Sequence, residues 1–257
     1  MKELLLHDSF KSGMQILAKG LSCRRSPREC TEILNRSNLF LTQADLDSVY
    51  PDAARKIVKA YFEIFLSYPF LAGRIAAPRT FRANSRLYAN CTMGFNNPES
   101  SGMVRLNLKY YCSPYKYAGS YRDCEEDGFH PKDTTQDCVI YHEIAHALDG
   151  FVTSLGVCRD KKGNKIYLSD LIRKRTLASL KMKVKDITSE VSGYASRKKI
   201  EWFAECFCEF QQSKTPRPMA AECMRQLDKF LRSLYVQRCA DLLNNNIQKA
   251  RSERNAL

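Results

Sequence analysis

DCVIYHEIAHALDG, residues 137–150, places two histidines four residues apart with a glutamate directly after the first. On a helix, residues four apart share a face, with Cβ atoms about 5–6 Å from each other. His142 and His146 can then converge on one zinc ion, since ring nitrogens ligate zinc at about 2.0–2.1 Å. Glu143 projects toward the open position of such a metal, where it takes a proton from an activated water and passes it to a leaving amine. Cys138, Val139 and Ile140 before the motif, with Ile144, Ala147 and Leu148 within and after it, bury the back of the helix. The plainer alternative is a buried helix with two hydrogen-bonded histidines.

Two histidines and a catalytic glutamate leave the site one protein ligand short. A metzincin needs Gly seven and His ten residues after the first histidine. Asp149 and Val152 stand there, so that pattern fails. His7 and His130 remain, and His130, beside a proline in GFHP, reads as a structural loop residue. The acidic candidates are Asp149 or a glutamate on a later helix. In IEWFAECFCEF, residues 200–210, Glu201 and Glu205 share a helix face among Trp202, Phe203 and Phe207. Carboxylates buried among aromatics need a partner such as a metal. A glutamate from this second helix completes a His-His-Glu set, and Glu205 then accepts the free ring N–H of a ligating histidine.

HEIAHALDG followed by GYASRKKIEWFAECF is similar to the lethal-factor and Pro-Pro endopeptidase family of zinc peptidases. That family pairs HExxHxxD with a Tyr seven residues ahead of the first Glu in an E-[FW]-F-A-E helix. The resemblance implies that His142, His146 and Glu201 are zinc ligands and that Glu143 is the general base. It further implies that Tyr194 donates to the oxyanion of the tetrahedral intermediate and that Asp149 supports the ligands. The match covers roughly residues 138–210 and does not extend over residues 1–85. Ala145 stands where relatives often carry Gly, and the gap between the motifs is longer.

Outward from the motif, the pattern predicts an α+β, zincin-like metallopeptidase domain of the gluzincin type over 81–257. A mainly helical region over 1–80 precedes it. Helices are expected over 4–20 and from about Thr42, with Pro51 in a first turn and Ile57, Val58, Tyr61, Phe62 and Phe65 at helical spacing. SCRRSPRE reads as a loop between them. Residues 86–95 and 103–111 alternate like adjacent strands. The second is the candidate edge strand for pairing with an extended substrate, ahead of 86–95. Residues 112–136 read as an irregular loop bordering the cleft. After the HEIAH helix come a helix over 169–184, with Leu171, Leu177, Leu180 and Val184 inward, and the Glu201 helix from about Arg197. A long amphipathic helix follows from Met219 to Leu243, with Met224, Leu227, Leu231, Leu234 and Tyr235 on its apolar face, and then a polar, fraying end.

Composition narrows the setting. The 257 residues are 44% hydrophobic and 27% charged, ordinary for a folded chain. No apolar run reaches the 18 or so residues of a membrane span. The amino terminus reads as an amphipathic helix rather than an export signal, which points to the cytoplasm; delivery to a host cell or phage particle by a signal-less route stays open. Eleven cysteines at irregular spacing include no CxxC pair, which argues for free thiols in a reducing compartment. The net charge of +13 offers a surface for nucleic acid or acidic partners, without an RNA-binding aromatic signature or helix-turn-helix spacing to support the former. The expected function is a zinc-dependent endopeptidase acting on a protein or peptide substrate. The alternative is a catalytically silent zincin-fold protein, or one with secondary activity, that binds nucleic acid or a phage particle.

Overall fold

The computed structural model describes residues 2–21 and 25–235. It is α+β: mostly helical, with one three-stranded sheet. Three helices, α1 (Lys2–Leu21), α2 (Pro27–Arg36) and α3 (Pro51–Ser67), make up the first part. The basic stretch read as a loop is shorter than expected, because α2 begins inside it. Ser26 caps the helix: its hydroxyl accepts from the Glu29 N–H at 3.2 Å, and the Glu29 carboxylate accepts from the Ser26 N–H at 2.8 Å. Helix α3 starts at Pro51 rather than near Thr42, and its apolar face is buried at Ile57, Val58, Tyr61 and Phe65.

Strands β1 (Arg79–Phe81), β2 (Ala89–Cys91) and β3 (Val104–Asn107) form a sheet in the order β1-β3-β2. β2 and β3 pair antiparallel, whereas β1 runs parallel to β3. The segment expected at the edge therefore lies in the centre, and β2 is the edge strand that packs against the HEIAH helix. The alternation over 103–111 also breaks early. Asn107 ends β3 and caps a short helix α4 (Leu108–Tyr111), its side chain accepting from the Lys109 N–H at 3.1 Å. The fully buried Asn107 amide pins the β1–β2 crossing too, donating to the carbonyls of Ala83 and Leu87. The expected irregular loop holds helix α5 (Pro114–Glu126), started by Ser113 as N-cap with Pro114 in the first turn.

Helix α6 (Cys138–Ser154) carries the HEIAH motif through the centre of the molecule. It is buried almost all round, packed by α3, β2, β3, α7 (Leu168–Leu180) and α9 (Lys199–Gln212), the last following a short α8 (Ile187–Glu190). A helix so placed is buried on nearly every face, its titratable His142, Glu143, His146 and Asp149 included. Gly150 permits one of these contacts: a Cβ there would stand 2.3 Å from the Met93 carbonyl oxygen, just past β2. Helix α7 stops four residues before the expected end, at Lys181 in a left-handed conformation, and leaves Val184 exposed. A final helix, α10, runs over 218–235 with Met224 and Leu227 buried and Tyr235 exposed. The expected continuation to Leu243 and the fraying end lie outside the described residues.

One hydrophobic core runs through all of these elements, from Leu17 and Leu34 through Ile64 and Leu148 to Phe207 and Leu227. Cys138 and Cys208 form a disulfide between α6 and α9, contrary to the expectation of free thiols throughout. The close packing of the two helices sets their Cα atoms 5.2 Å apart, within bridging range. Seven other described cysteines are free, four of them buried.

Candidate metal centre

Helices α6 and α9 lie side by side, and the side chains that face each other are the predicted ones. His142 Nε2 and His146 Nε2 are 3.1 Å apart. Glu201 Oε2 completes the triangle at 3.1 Å from the first and 3.3 Å from the second. Four ligands held tetrahedrally around one ion at about 2.0–2.1 Å are spaced by roughly 3.3–3.4 Å. The three atoms thus meet the spacing of one metal's protein ligands.

The hydrogen-bond pattern fits a cation as well. His142 Nδ1 donates to Glu205 Oε1 at 2.8 Å, so in a neutral ring Nε2 presents a lone pair. That lone pair faces the carboxylate of Glu201 and the second histidine. Acceptors converging in a buried space need a positive charge between them, either a metal or a proton. Without a metal, a proton can supply that charge. Burial opposes it, but Glu201, Glu205 and Glu143 outweigh burial and push His142 up to about 10. Glu201 responds in the opposite sense: burial raises it, and the two histidines hold it far below the usual carboxylate range.

Glu205 is 1% exposed and joins three parts of the chain. Besides His142, its Oε2 accepts from the Ser192 hydroxyl at 2.8 Å, and His130 Nδ1 lies 3.8 Å from Oε1, an electrostatic contact rather than a hydrogen bond. Against the burial penalty, His130 and His142 hold the Glu205 carboxyl down at about 2. It is therefore an anion at all ordinary pH, suited to orienting the His142 ring. Ser192 and His130 are absent from the sequence-derived site. No local pattern marks Ser192, and His130 was read as a structural loop residue. Its aromatic neighbourhood decides otherwise: the ring stacks on Tyr121 at 4.5 Å and lines the same cleft as His142.

Tyr194 comes from the segment between α8 and α9. Backbone bonds from Gly193 and Tyr194 N–H to the carbonyls of Gly128 and Phe129 tie this segment to the end of α5. The Tyr194 ring stacks on His142 at 5.6 Å, and its phenol lies close enough to Glu201 to feel that carboxylate's charge. Burial, with Glu201 and Glu143 nearby, raises its pKa, so the phenol stays a donor. Glu143 points into a cleft of about 800 Å³ that also includes His130, His142, Tyr194 and Glu205. Burial raises its pKa, with the two histidines pulling the other way. A carboxylate shifted toward neutrality is a better proton acceptor and donor.

Asp149 sits one turn beyond His146 and is fully buried. Its Oδ1 accepts from the Ser169 N–H at 3.1 Å and the Thr153 hydroxyl at 3.2 Å, so it caps α7, which has no cap of its own. Its Oδ2 and His146 Nδ1 are both buried without a hydrogen-bond partner, and the Asp149 charge acts on the His146 ring. Asp149 thus fixes α7 against α6 and places a negative charge behind the second histidine.

Among the described residues no helix is long and apolar enough to cross a membrane. No protein-family model, curated protein or solved structure matches the chain.

Proposed function

We propose that the protein is a zinc-dependent endopeptidase with a zincin-like fold of the gluzincin type. The observation that carries this reading is the triangle of His142 Nε2, His146 Nε2 and Glu201 Oε2, beside Glu143 in an open cleft. Two nitrogens and one carboxylate oxygen suit zinc, and three protein ligands leave a position for water or substrate. A bound zinc ion would polarise the scissile carbonyl and make water acidic enough to ionise near neutral pH.

The residues of the chain supply the rest. Glu143 accepts the proton of the attacking water and returns it to the departing amine, the two halves of general base and general acid catalysis. Tyr194 donates its phenolic hydrogen to the carbonyl oxygen as negative charge develops there. Glu205 keeps the His142 ring in the tautomer whose Nε2 is a ligand. The similarity to the lethal-factor and Pro-Pro endopeptidase family supports the same assignments.

The test joins metal analysis of the purified protein to cleavage profiling on a peptide library, with and without a chelator. Glu143→Gln should keep one zinc per chain and lose turnover by at least a hundredfold, the range of a lost general base. Full activity in that variant would overturn the mechanism, and a chain without stoichiometric metal would overturn the site.

A further inference from the structure

Charge is distributed unevenly along this chain. Residues 64–122 contain eight cations (Arg74, Arg79, Arg82, Arg86, Arg105, Lys109, Lys116 and Arg122) and one acidic residue, Glu99. This is the segment that builds the sheet. One face of the sheet, with Ala89, Val104 and Leu106, is buried against the core. On the other face Arg79, Arg105 and Asn90 line up in register across all three strands.

Arg79 and Arg105 are directly opposite each other on neighbouring strands, and both are exposed. Like charges in that position destabilise a sheet, and only neutral partners hold them there. Each guanidinium is oriented through Nε by a neutral acceptor: Arg79 by the Gln43 carbonyl at 3.2 Å, Arg105 by the Asn90 side chain at 2.9 Å. Arg105 also lies over the Phe81 ring. No carboxylate among the described residues pairs with either. Asp45, whose N–H bonds the Pro78 carbonyl, forms no ion pair with the row, nor does Glu99 in the β2–β3 turn. The row ends at β2, the sheet edge whose neighbouring residues Arg86, Leu87 and Tyr88 line the cleft. The cleft itself is mixed in charge, with Arg86 and Arg197 countered by Asp123 and Asp127.

We propose that this outer sheet face is a docking surface for an acidic stretch of polypeptide, held by Arg79 and Arg105 and leading over the β2 edge into the cleft. Charge complementarity commits the face to an anionic chain, two forked guanidiniums grip carboxylates bidentately, and the row's continuity with the cleft edge at Arg86, Leu87 and Tyr88 favours a polypeptide over a nucleic acid. That the docked chain is the substrate rests on the peptidase reading; the docking itself does not.

The experiment uses the full chain carrying Glu143→Gln, loaded with zinc. Its probes are three labelled ligands followed by fluorescence anisotropy: a glutamate-rich peptide, a glutamine-rich peptide of equal length, and a single-stranded oligonucleotide of equal charge. The acidic peptide should bind about tenfold tighter than the neutral one, as two exposed ion pairs allow, and the advantage should shrink as salt is raised. Arg79→Ala with Arg105→Ala should remove the advantage while zinc content and a single cooperative unfolding transition are kept, because both side chains are exposed. Lys174→Ala with Lys185→Ala should leave it unchanged. Equal binding of the two peptides, or an advantage that survives the arginine substitutions, overturns the proposal. So does an oligonucleotide that binds tighter than the acidic peptide and loses that binding with the same arginines. In the active enzyme, an acidic extension should lower KM about tenfold and leave kcat unchanged. Docking without any cleavage refutes the peptidase reading alone, and cleavage indifferent to the acidic extension refutes the proposal that the substrate docks there.

Discussion

Glu205 offers the sharpest test of how the centre is built. It touches no substrate in the mechanism above, yet two 2.8 Å hydrogen bonds end on its buried carboxylate, from His142 Nδ1 and the Ser192 hydroxyl. Glu205→Gln keeps an amide oxygen in place to accept from the His142 ring but removes the charge. Glu205→Ala removes both the charge and the acceptor. Groups that orient a metal-ligating histidine contribute about 10- to 100-fold in metal affinity, or roughly 1.4–2.7 kcal/mol. The glutamine variant should fall near the lower figure and the alanine variant near the upper. Alanine also strands a buried ring N–H and a buried hydroxyl, each costing about 1–3 kcal/mol of stability. Competition titration against a chromophoric chelator measures the affinities, and urea unfolding of the chelated protein measures the stability cost separately. Wild-type zinc affinity in Glu205→Ala would refute the reasoning, since the His142 ring would then need no orienting carboxylate.

Other consequences are equally open to measurement. Gly150→Ala gains about 1 kcal/mol in helix propensity but drives a methyl into the Met93 carbonyl at 2.3 Å, an overpacking cost of roughly 1–3 kcal/mol. The melting temperature should fall by a few degrees, and a rise would show that the 92–95 segment yields freely. Without metal, His142 is raised from 6.5 to about 10, so its stabilisation is complete below pH 6.5 and is lost as pH rises through about 10. Zinc binding at pH 7 must then release a proton, and calorimetry in buffers of different ionisation enthalpy that detects none would contradict this. Opening the Cys138–Cys208 bridge by paired serine substitution frees a 70-residue separation in the unfolded chain, worth about 4 kcal/mol of stability. Identical denaturant midpoints for the two proteins would exclude that contribution.

Much of the centre was legible because it is local. Helical period alone puts His142 and His146 on one face, and it does the same for Glu201 and Glu205. The aromatic residues around the second pair announce a buried helix, which is why its carboxylates stand out as candidates for the site. Pro51 and the apolar spacing of α3 were readable for the same reason. The misread stretches are those where local signals conflict. MVRLNLKYY alternates like a strand, yet Asn107 both closes β3 and caps α4, so the alternation in its second half is accidental. In residues 114–126 the tyrosines and glycine hide a helix that Ser113 and Pro114 start.

The sequence by itself determined the chemistry available to this protein: a helix bearing two histidines and a glutamate, a second bearing two carboxylates, and a strongly basic segment between residues 64 and 122. Tertiary structure alone decided how these parts meet. It set α6 against α9 so that three candidate ligand atoms lie 3.1–3.3 Å apart, and it brought Ser192 and His130 to Glu205. It also joined Cys138 to Cys208, and it placed β3 between β1 and β2 so that Arg79 faces Arg105. Each of these depends on contacts between residues far apart in sequence. The chain's own period governs only neighbours within a turn or two; packing of the shared core, which buries α6 on every side, governs the rest.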